Sequence, residues 1–267
     1  MKRFLPYCLG FLVFLFFSFS VISAQDFDFN RSFNDYIYNY NLYRSAHLEY
    51  ITAKSEFQTY NTLTSQTKAL EATRKLLQQR DEALKTYLTA LRMKLKEETG
   101  ITSYKQNLYF VKLDDEVAWI SQHQSLLTSP STIEDLLEQS EKMENRYPTT
   151  TVISYQTLGT ILEGKENSLR DKVNNLVKLT EEKINEIRAN NEDTTIVERW
   201  LIEAKQKMTL SEQKQSQAIA VINTIEAKDS DKAEKYDQAK LLFEESNQYL
   251  KEAISFLKEI IREVKRV

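Results

Sequence analysis

The sequence predicts an all-α protein, and three observations support this prediction. Only four glycines and three prolines occur in 267 residues, which is few breakers for a fold rich in strands or turns. Ala, Leu, Glu, Lys and Gln, which favour helices, occupy much of the rest. Apolar residues recur at alternating steps of three and four, which is typical of long helices wound around each other. We therefore expect an elongated antiparallel helical bundle or coiled-coil rod.

Residues 1–24 have the pattern of a secretory signal peptide. Two basic residues precede an apolar run over 4–22, and the polar chain begins after Ala24. This order predicts cleavage between Ala24 and Gln25. The alternative is an uncleaved N-terminal anchor, because about 20 apolar residues suffice to span a bilayer. Either alternative places the rest of the chain outside the cytoplasm: secreted, periplasmic or on the cell surface, with membrane contact only through an uncleaved leader.

The few breakers divide the remaining chain into seven expected helices. Their approximate ranges are 30–60, 65–99, 103–127, 131–146, 149–189, 195–227 and 232–267. Short turns favour antiparallel neighbours. We expect one bundle over 25–128 and a three-helix coiled-coil bundle over 149–267. A joint over 129–148, carrying one short helix, would link these two lobes. One continuous bundle is the alternative.

Helix ends are predicted from capping residues. Gly100 stands where a helix often ends on a left-handed residue. Ser103 with Gln106, and Ser131 with Glu134, have the spacing of capping boxes. Pro148 lacks an amide hydrogen and disfavours a helical residue before it, so a break is expected there.

The last two helices carry apolar stripes that contain a polar layer. The stripe residues are Val197, Leu201, Ala204, Met208, Ser211, Gln215, Ala218, Ile222 and Ile225 in one helix, and Tyr236, Lys240, Phe243, Asn247, Leu250, Ile254, Leu257, Ile261 and Val264 in the other. Counted from the connecting turn, Asn247 lies level with Ser211 and Gln215. A buried amide needs a partner. We expect Asn247 to hydrogen-bond Gln215 or Ser211, and this layer to fix helix register rather than bind a ligand.

The first helix carries an aromatic stripe at the same spacing. Its members are Phe29, Phe33, Tyr36, Tyr40, Tyr43, His47, Tyr50, Lys54 and Phe57. We interpret this stripe as core that faces the leucines of the second helix, with tyrosine hydroxyls reaching the surface. Tyr38 lies off the stripe and is the candidate exposed aromatic contact.

Catalytic and cofactor chemistry is not expected. Cys8, the only cysteine, lies in the leader, which removes disulfides and thiol chemistry from a cleaved chain. His47 and His123 lie in neither a Glu-x-x-His pair nor a zinc motif. No catalytic residue, metal ligand or cofactor-binding residue is proposed, and no basic stripe suggests nucleic acid.

Two functions remain open. The first is a non-enzymatic extracytoplasmic scaffold or interaction module with an unknown protein partner. The second is a ligand-binding or holdase bundle that uses the aromatic hairpin of the first two helices. The sequence leaves the oligomeric state undetermined.

Overall fold

A computed structural model describes residues 28–265 of the chain and contains six helices there. They are α1 (Phe29–Tyr60), α2 (Leu63–Glu97), α3 (Ser103–Leu126), α4 (Ile133–Ala189), α5 (Thr195–Asn223) and α6 (Lys232–Val264). Helices account for 88% of this part, which has no strand. The prediction of an all-α helical bundle is confirmed. The expected cleavage between Ala24 and Gln25 lies outside the described residues.

Helices α1 and α2 form an antiparallel hairpin. Asp28 caps α1 by accepting a hydrogen bond from the amide of Arg31. The helix ends at Asn61, whose φ of 46° is left-handed, a conformation that asparagine tolerates better than most residues. Thr62 and Ser65 then form the capping box of α2. The hairpin turn therefore lies between the first two helices as predicted.

The connection from α2 to α3 differs from the expectation for Gly100. No glycine among residues 28–265 has positive φ, so the predicted left-handed role is wrong. A Cβ at Gly100 would lie 2.0 Å from the carbonyl oxygen of Gly164 in α4. Gly100 is required because two backbones meet there. The cap of α3 is Thr102, whose side chain accepts from the amide of Lys105, so the predicted Ser103 box is one residue off.

Helix α4 is continuous across Pro148, and the predicted break there is wrong. It runs for 57 residues with the proline inside it. Its capping box is Thr132 with Asp135, one residue later than predicted. Leu136, Met143 and Thr150 are buried on both sides of the proline. Packing of these residues against neighbouring helices stabilises the helical path that proline alone disfavours.

The long helix α4 is shared by two sets of neighbours. Its first part joins α2 and α3 around Leu88, Leu113, Ile120 and Met143. Its second part joins α5 and α6 around a larger apolar cluster: Val173, Val177, Ile184, Val197, Leu201, Ala204, Met208, Ala253, Leu257 and Ile260. The division into two lobes and the rod shape stay predictions.

Helix α1 has the fewest neighbours. In the described part of the chain, α2 is the only helix in contact with it, whereas α2 also contacts α3 and α4. No helix over 28–265 is long and apolar enough to cross a bilayer.

Candidate functional site

The candidate site is a groove of about 560 Å³ bounded by α1, α2 and α4. Six tyrosines line it, and we call it the tyrosine groove: Tyr36, Tyr40, Tyr43, Tyr87, Tyr147 and Tyr155. Its wall on α4 adds the hydroxyls of Thr150, Thr151 and Ser154, and its charged residues are Arg80 and Glu144. It is therefore an aromatic surface edged with polar groups.

Small residues of α1 create this groove. The buried residues of α1 are Ser32, Ala46 and Ala53. Because these small side chains let α1 approach α2 closely, the bulky aromatics lie to the side of the contact. The prediction that the aromatic stripe forms core is wrong: Tyr40 is 42% exposed, and Tyr36 and Tyr43 are half-buried.

The aromatics of α1 form a continuous ladder along one edge of the groove. Successive ring centroids from Phe29 through Phe33, Tyr36, Tyr40 and Tyr43 to His47 lie 5.6 to 6.4 Å apart. These separations lie in the range of favourable aromatic pairs. Tyr36 also contacts Tyr87 of α2, with centroids 5.3 Å apart, so the ladder is tied to the floor of the groove.

Tyr87 and Tyr155 are held in place by their surroundings. Burial raises the pKa of Tyr87 to about 12 from an ordinary value of 10. Tyr155 stacks on Tyr236 of α6 with centroids 4.7 Å apart. These rings lose little conformational freedom on binding, which is what favours tyrosine at interfaces.

Arg80 is the positively charged residue of the groove lining. Its Nε lies 3.3 Å from Asp81 Oδ1, and its Nη1 donates to Ser140 Oγ at 3.1 Å. Its Nη2 is buried and has no hydrogen-bond partner among the described residues. Because this nitrogen is buried, a molecule bound in the groove would reach it only if the Arg80 side chain moved.

A buried polar pair lies beside Arg80 and supports the floor. His123 Nδ1 lies 2.6 Å from Asp81 Oδ2, and its Nε2 lies 2.9 Å from the Gln139 carbonyl oxygen. The hydrogen bond with Asp81 raises the pKa of His123. Trp119 stacks on the imidazole at 5.4 Å. Both ring nitrogens are therefore engaged in structure, and Asp81, which the sequence analysis missed, holds one of them.

Glu116 forms a second buried link between α3 and α4. The Arg146 guanidinium donates to both of its carboxylate oxygens, with the shortest contact at 2.6 Å. Thr150 donates to the same carboxylate. Arg146 also lies over the Trp119 ring, 5.2 Å from its centroid. These contacts hold α3 against the part of α4 that forms the groove wall.

The predicted polar layer of α5 and α6 exists, with different members. Ser211 and Gln215 are buried, and the Arg170 guanidinium of α4 donates to both. Ser246 Oγ lies 2.9 Å from Ser211 Oγ and 2.9 Å from Glu166 Oε2. Burial raises the pKa of Glu166 to about 7.

The predicted hydrogen bond of Asn247 is wrong. Within residues 28–265 its buried Oδ1 has no hydrogen-bond partner, and Ser246, one residue earlier, occupies the inward position. The layer joins polar groups of three helices, α4, α5 and α6, and none of these residues lines the groove.

The remaining candidates lie apart from the groove. Tyr38 is 65% exposed, as predicted, and does not line the groove. His47 is exposed beside the ladder. Residues 28–265 contain no group of three or more His, Cys, Asp or Glu side chains that could hold a metal ion.

Comparison with known proteins gives no family for this chain. No protein-family model, no curated protein and no solved structure matches it.

Proposed function

We propose that the protein is a non-enzymatic helical interaction module that holds a segment of a partner protein in the tyrosine groove. The observation that carries the proposal is the convergence of six tyrosines from three helices on one open groove. Tyrosine supplies large contact area and a polar hydroxyl at low entropic cost, and is enriched at protein interfaces.

The partner segment should carry an acidic side chain. Arg80 supplies a positive charge to the groove lining, and a guanidinium pairs well with a carboxylate. Apolar or aromatic side chains of the same segment would lie against the tyrosine rings.

Binding of a small ligand is the second candidate. The groove volume of about 560 Å³ lies within the range of ordinary ligand pockets. In this case the aromatic hairpin would hold an apolar molecule or act as a holdase site.

A photo-crosslinking amino acid tests the proposal in the native host. It replaces Tyr147, which lines the groove and is 55% exposed. The matched control replaces Tyr104, which is 79% exposed at the start of α3 and does not line the groove. We expect a discrete adduct with another protein at Tyr147 only, and its loss when Tyr43→Ser is added.

The other outcomes separate the candidates. Equal adducts at both positions, or none at Tyr147, would contradict a groove-bound protein partner. An adduct of two copies of this chain would also contradict it. Binding of an apolar fluorescent dye that Tyr147→Ala abolishes, without a protein adduct, would favour the small ligand.

We place this function outside the cytoplasm, on the strength of the basic and apolar leader over 1–24. Mass spectrometry of exported protein is expected to find Gln25 at the N-terminus. A membrane-bound protein that begins at Met1 would indicate the anchor instead.

A further inference from the structure

Both ring nitrogens of the buried His123 face hydrogen-bond acceptors. Nδ1 lies 2.6 Å from Asp81 Oδ2 in α2, and Nε2 lies 2.9 Å from the Gln139 carbonyl oxygen in α4. Because a backbone carbonyl and an ionised carboxylate only accept, each ring nitrogen needs a hydrogen in this arrangement. Neutral imidazole carries one N–H, whereas imidazolium carries two. His123 therefore has the hydrogen-bonding pattern of an imidazolium.

The charges around His123 agree with a bound proton. Helix α2 presents the fully buried Asp81 carboxylate to the ring, and Arg80 Nε lies 3.3 Å from the other carboxylate oxygen. Helix α4 brings the charged Arg146 to the same region, where it is paired with Glu116 of α3. The hydrogen bond with Asp81 raises the pKa of His123, and burial and Arg80 oppose it. The negative charge of Asp81 therefore has the imidazolium as its buried partner.

Loss of a proton from His123 acts on its contact with α4. The remaining N–H stays on Nδ1, because a lone pair facing the Asp81 carboxylate is less favourable than one facing a neutral carbonyl. Nε2 then presents a lone pair to the Gln139 carbonyl oxygen. The hydrogen bond between α3 and α4 is lost, and the one between α3 and α2 is kept.

The Gln139 contact lies close to the tyrosine groove. Glu144 and Tyr147 line the groove and follow Gln139 by five and eight residues in α4. Ser140, next to Gln139, accepts from Arg80 Nη1 at 3.1 Å, and its hydroxyl lies 3.3 Å from Glu144 Oε1. Arg80 lines the groove as well. The first turns of α4 therefore shape one end of the groove.

We propose that His123 is a proton-dependent clamp that holds the first turns of α4 against α3 and thereby sets the shape of the tyrosine groove. The clamp is closed when the ring carries both protons, and it opens when the ring loses one. Binding of a partner segment against Tyr147 should therefore weaken as the pH rises. This effect on binding rests on the proposed function, whereas the clamp itself does not.

Imidazole ¹⁵N resonances test the clamp without any partner. The chain has two histidines, so His47→Gln assigns the signals of His123. Both nitrogens of His123 should carry hydrogen at about pH 5, and Nε2 should lose it by about pH 9. Over the same range, the hydrogen-exchange protection of 136–147 should fall by about tenfold, after correction for the intrinsic pH dependence of exchange. A ring that keeps one protonation state, or unchanged protection, would overturn the proposal.

Asp81→Asn is the matched variant. Its side-chain amide can donate to Nδ1 of His123 while Nε2 donates to Gln139, so a neutral imidazole satisfies both contacts. Protection of 136–147 should then be the same at both ends of the pH range. Circular dichroism checks the helix content of the variant. The same fall of protection as in wild type would contradict the clamp, and the wild-type titration decides it if the variant does not fold.

Photo-crosslinking from Tyr147 at the two ends of the pH range tests the effect on binding. The yield of the protein adduct should fall several-fold at high pH in the otherwise wild-type chain and stay constant with Asp81→Asn. A yield that is independent of pH in both chains would overturn the control of binding by His123. Absence of an adduct at both pH values would contradict the proposed function, while the resonances and the exchange of 136–147 still decide the clamp.

Discussion

Helices α1 and α6 are similar in length and spacing but differ in what they bury. They contain 32 and 33 residues, respectively. Helix α6 packs against both α4 and α5 and buries large residues such as Phe243, Leu250 and Leu257. Helix α1 packs against α2 alone in the described chain, and its buried residues are one serine and two alanines.

This difference shows what apolar spacing alone does not determine. A stripe predicts which side chains share a helix face, but the number of neighbouring helices decides how much of that face leaves solvent. With two neighbours, α6 buries wide side chains. With one neighbour in the described chain, α1 buries a narrow line of small side chains and leaves Tyr36, Tyr40 and Tyr43 at the groove.

A matched pair of leucine truncations tests this difference most strongly. Leu250→Ala in α6, where the side chain is fully buried, should lower the free energy of unfolding by about 3 kcal/mol. Leu48→Ala in α1, where the side chain is 67% exposed, should change it by less than about 0.5 kcal/mol. Urea unfolding followed by circular dichroism measures both. Equal losses would mean that α1 is as buried as α6.

Replacement of Glu166 tests how strongly side chains are buried where α4 packs against α6. The pKa of this buried carboxyl is raised to about 7 from an ordinary value of 4.5. The folded chain therefore holds its proton more tightly than the unfolded chain, and stability falls as pH rises between those values. Glu166→Gln removes this loss, so the advantage of the variant over wild type should be about 2–3 kcal/mol larger at pH 8 than at pH 4.

The measurement is the difference between urea-unfolding free energies of the two chains across this pH range. Groups titrating equally in both chains, including His123, cancel in that difference. A difference that is independent of pH would contradict the raised pKa of Glu166.

Pro148 gives the smallest expected effect and tests whether α4 is one helix. Inside a helix, proline removes a hydrogen bond and crowds the preceding turn. Pro148→Ala should therefore raise the free energy of unfolding by about 1–2 kcal/mol, after the loss of proline's restriction on the unfolded chain. Pro130→Ala, before α4 begins, should bring no gain. Equal effects at both prolines would favour the joint that the sequence predicted.

The fold class and most helix ends could be predicted because they depend on local chemistry. Asn61, Thr62 and the scarcity of glycine act within a few residues of where they stand. The continuity of α4 across Pro148 could not be predicted, because distant residues on α2 and α3 stabilise it.

The polar layer was predicted only in part, for a related reason. All eight buried residues of α5 lie on its predicted stripe, including Ser211 and Gln215. The α4 members of the layer were not predicted, since Glu166 and Arg170 are buried charged residues and an apolar pattern gives no signal for them. In α6, the buried member of the layer is Ser246, one residue before the predicted Asn247.

The tyrosine groove was not predicted because it exists only where no second helix packs against the aromatic side of α1 in the described chain. The aromatic stripe was identified from spacing, but the same spacing suits a core and an exposed ladder. Buried Ala46 and Ala53 were the available signal, because two small residues seven positions apart favour a close approach of helices.

The contact between Gly100 and Gly164 determines where the chain can accept foreign sequence. Because backbone meets backbone there, an inserted tag or reporter between α2 and α3 would separate that connection from α4. The connection between α5 and α6 is different, since Glu226, Ala227 and Lys228 are all exposed. Exposed connections of this kind are the usual sites of tolerated insertion. A fluorescent label or affinity handle is therefore best placed at 226–228, which do not line the groove.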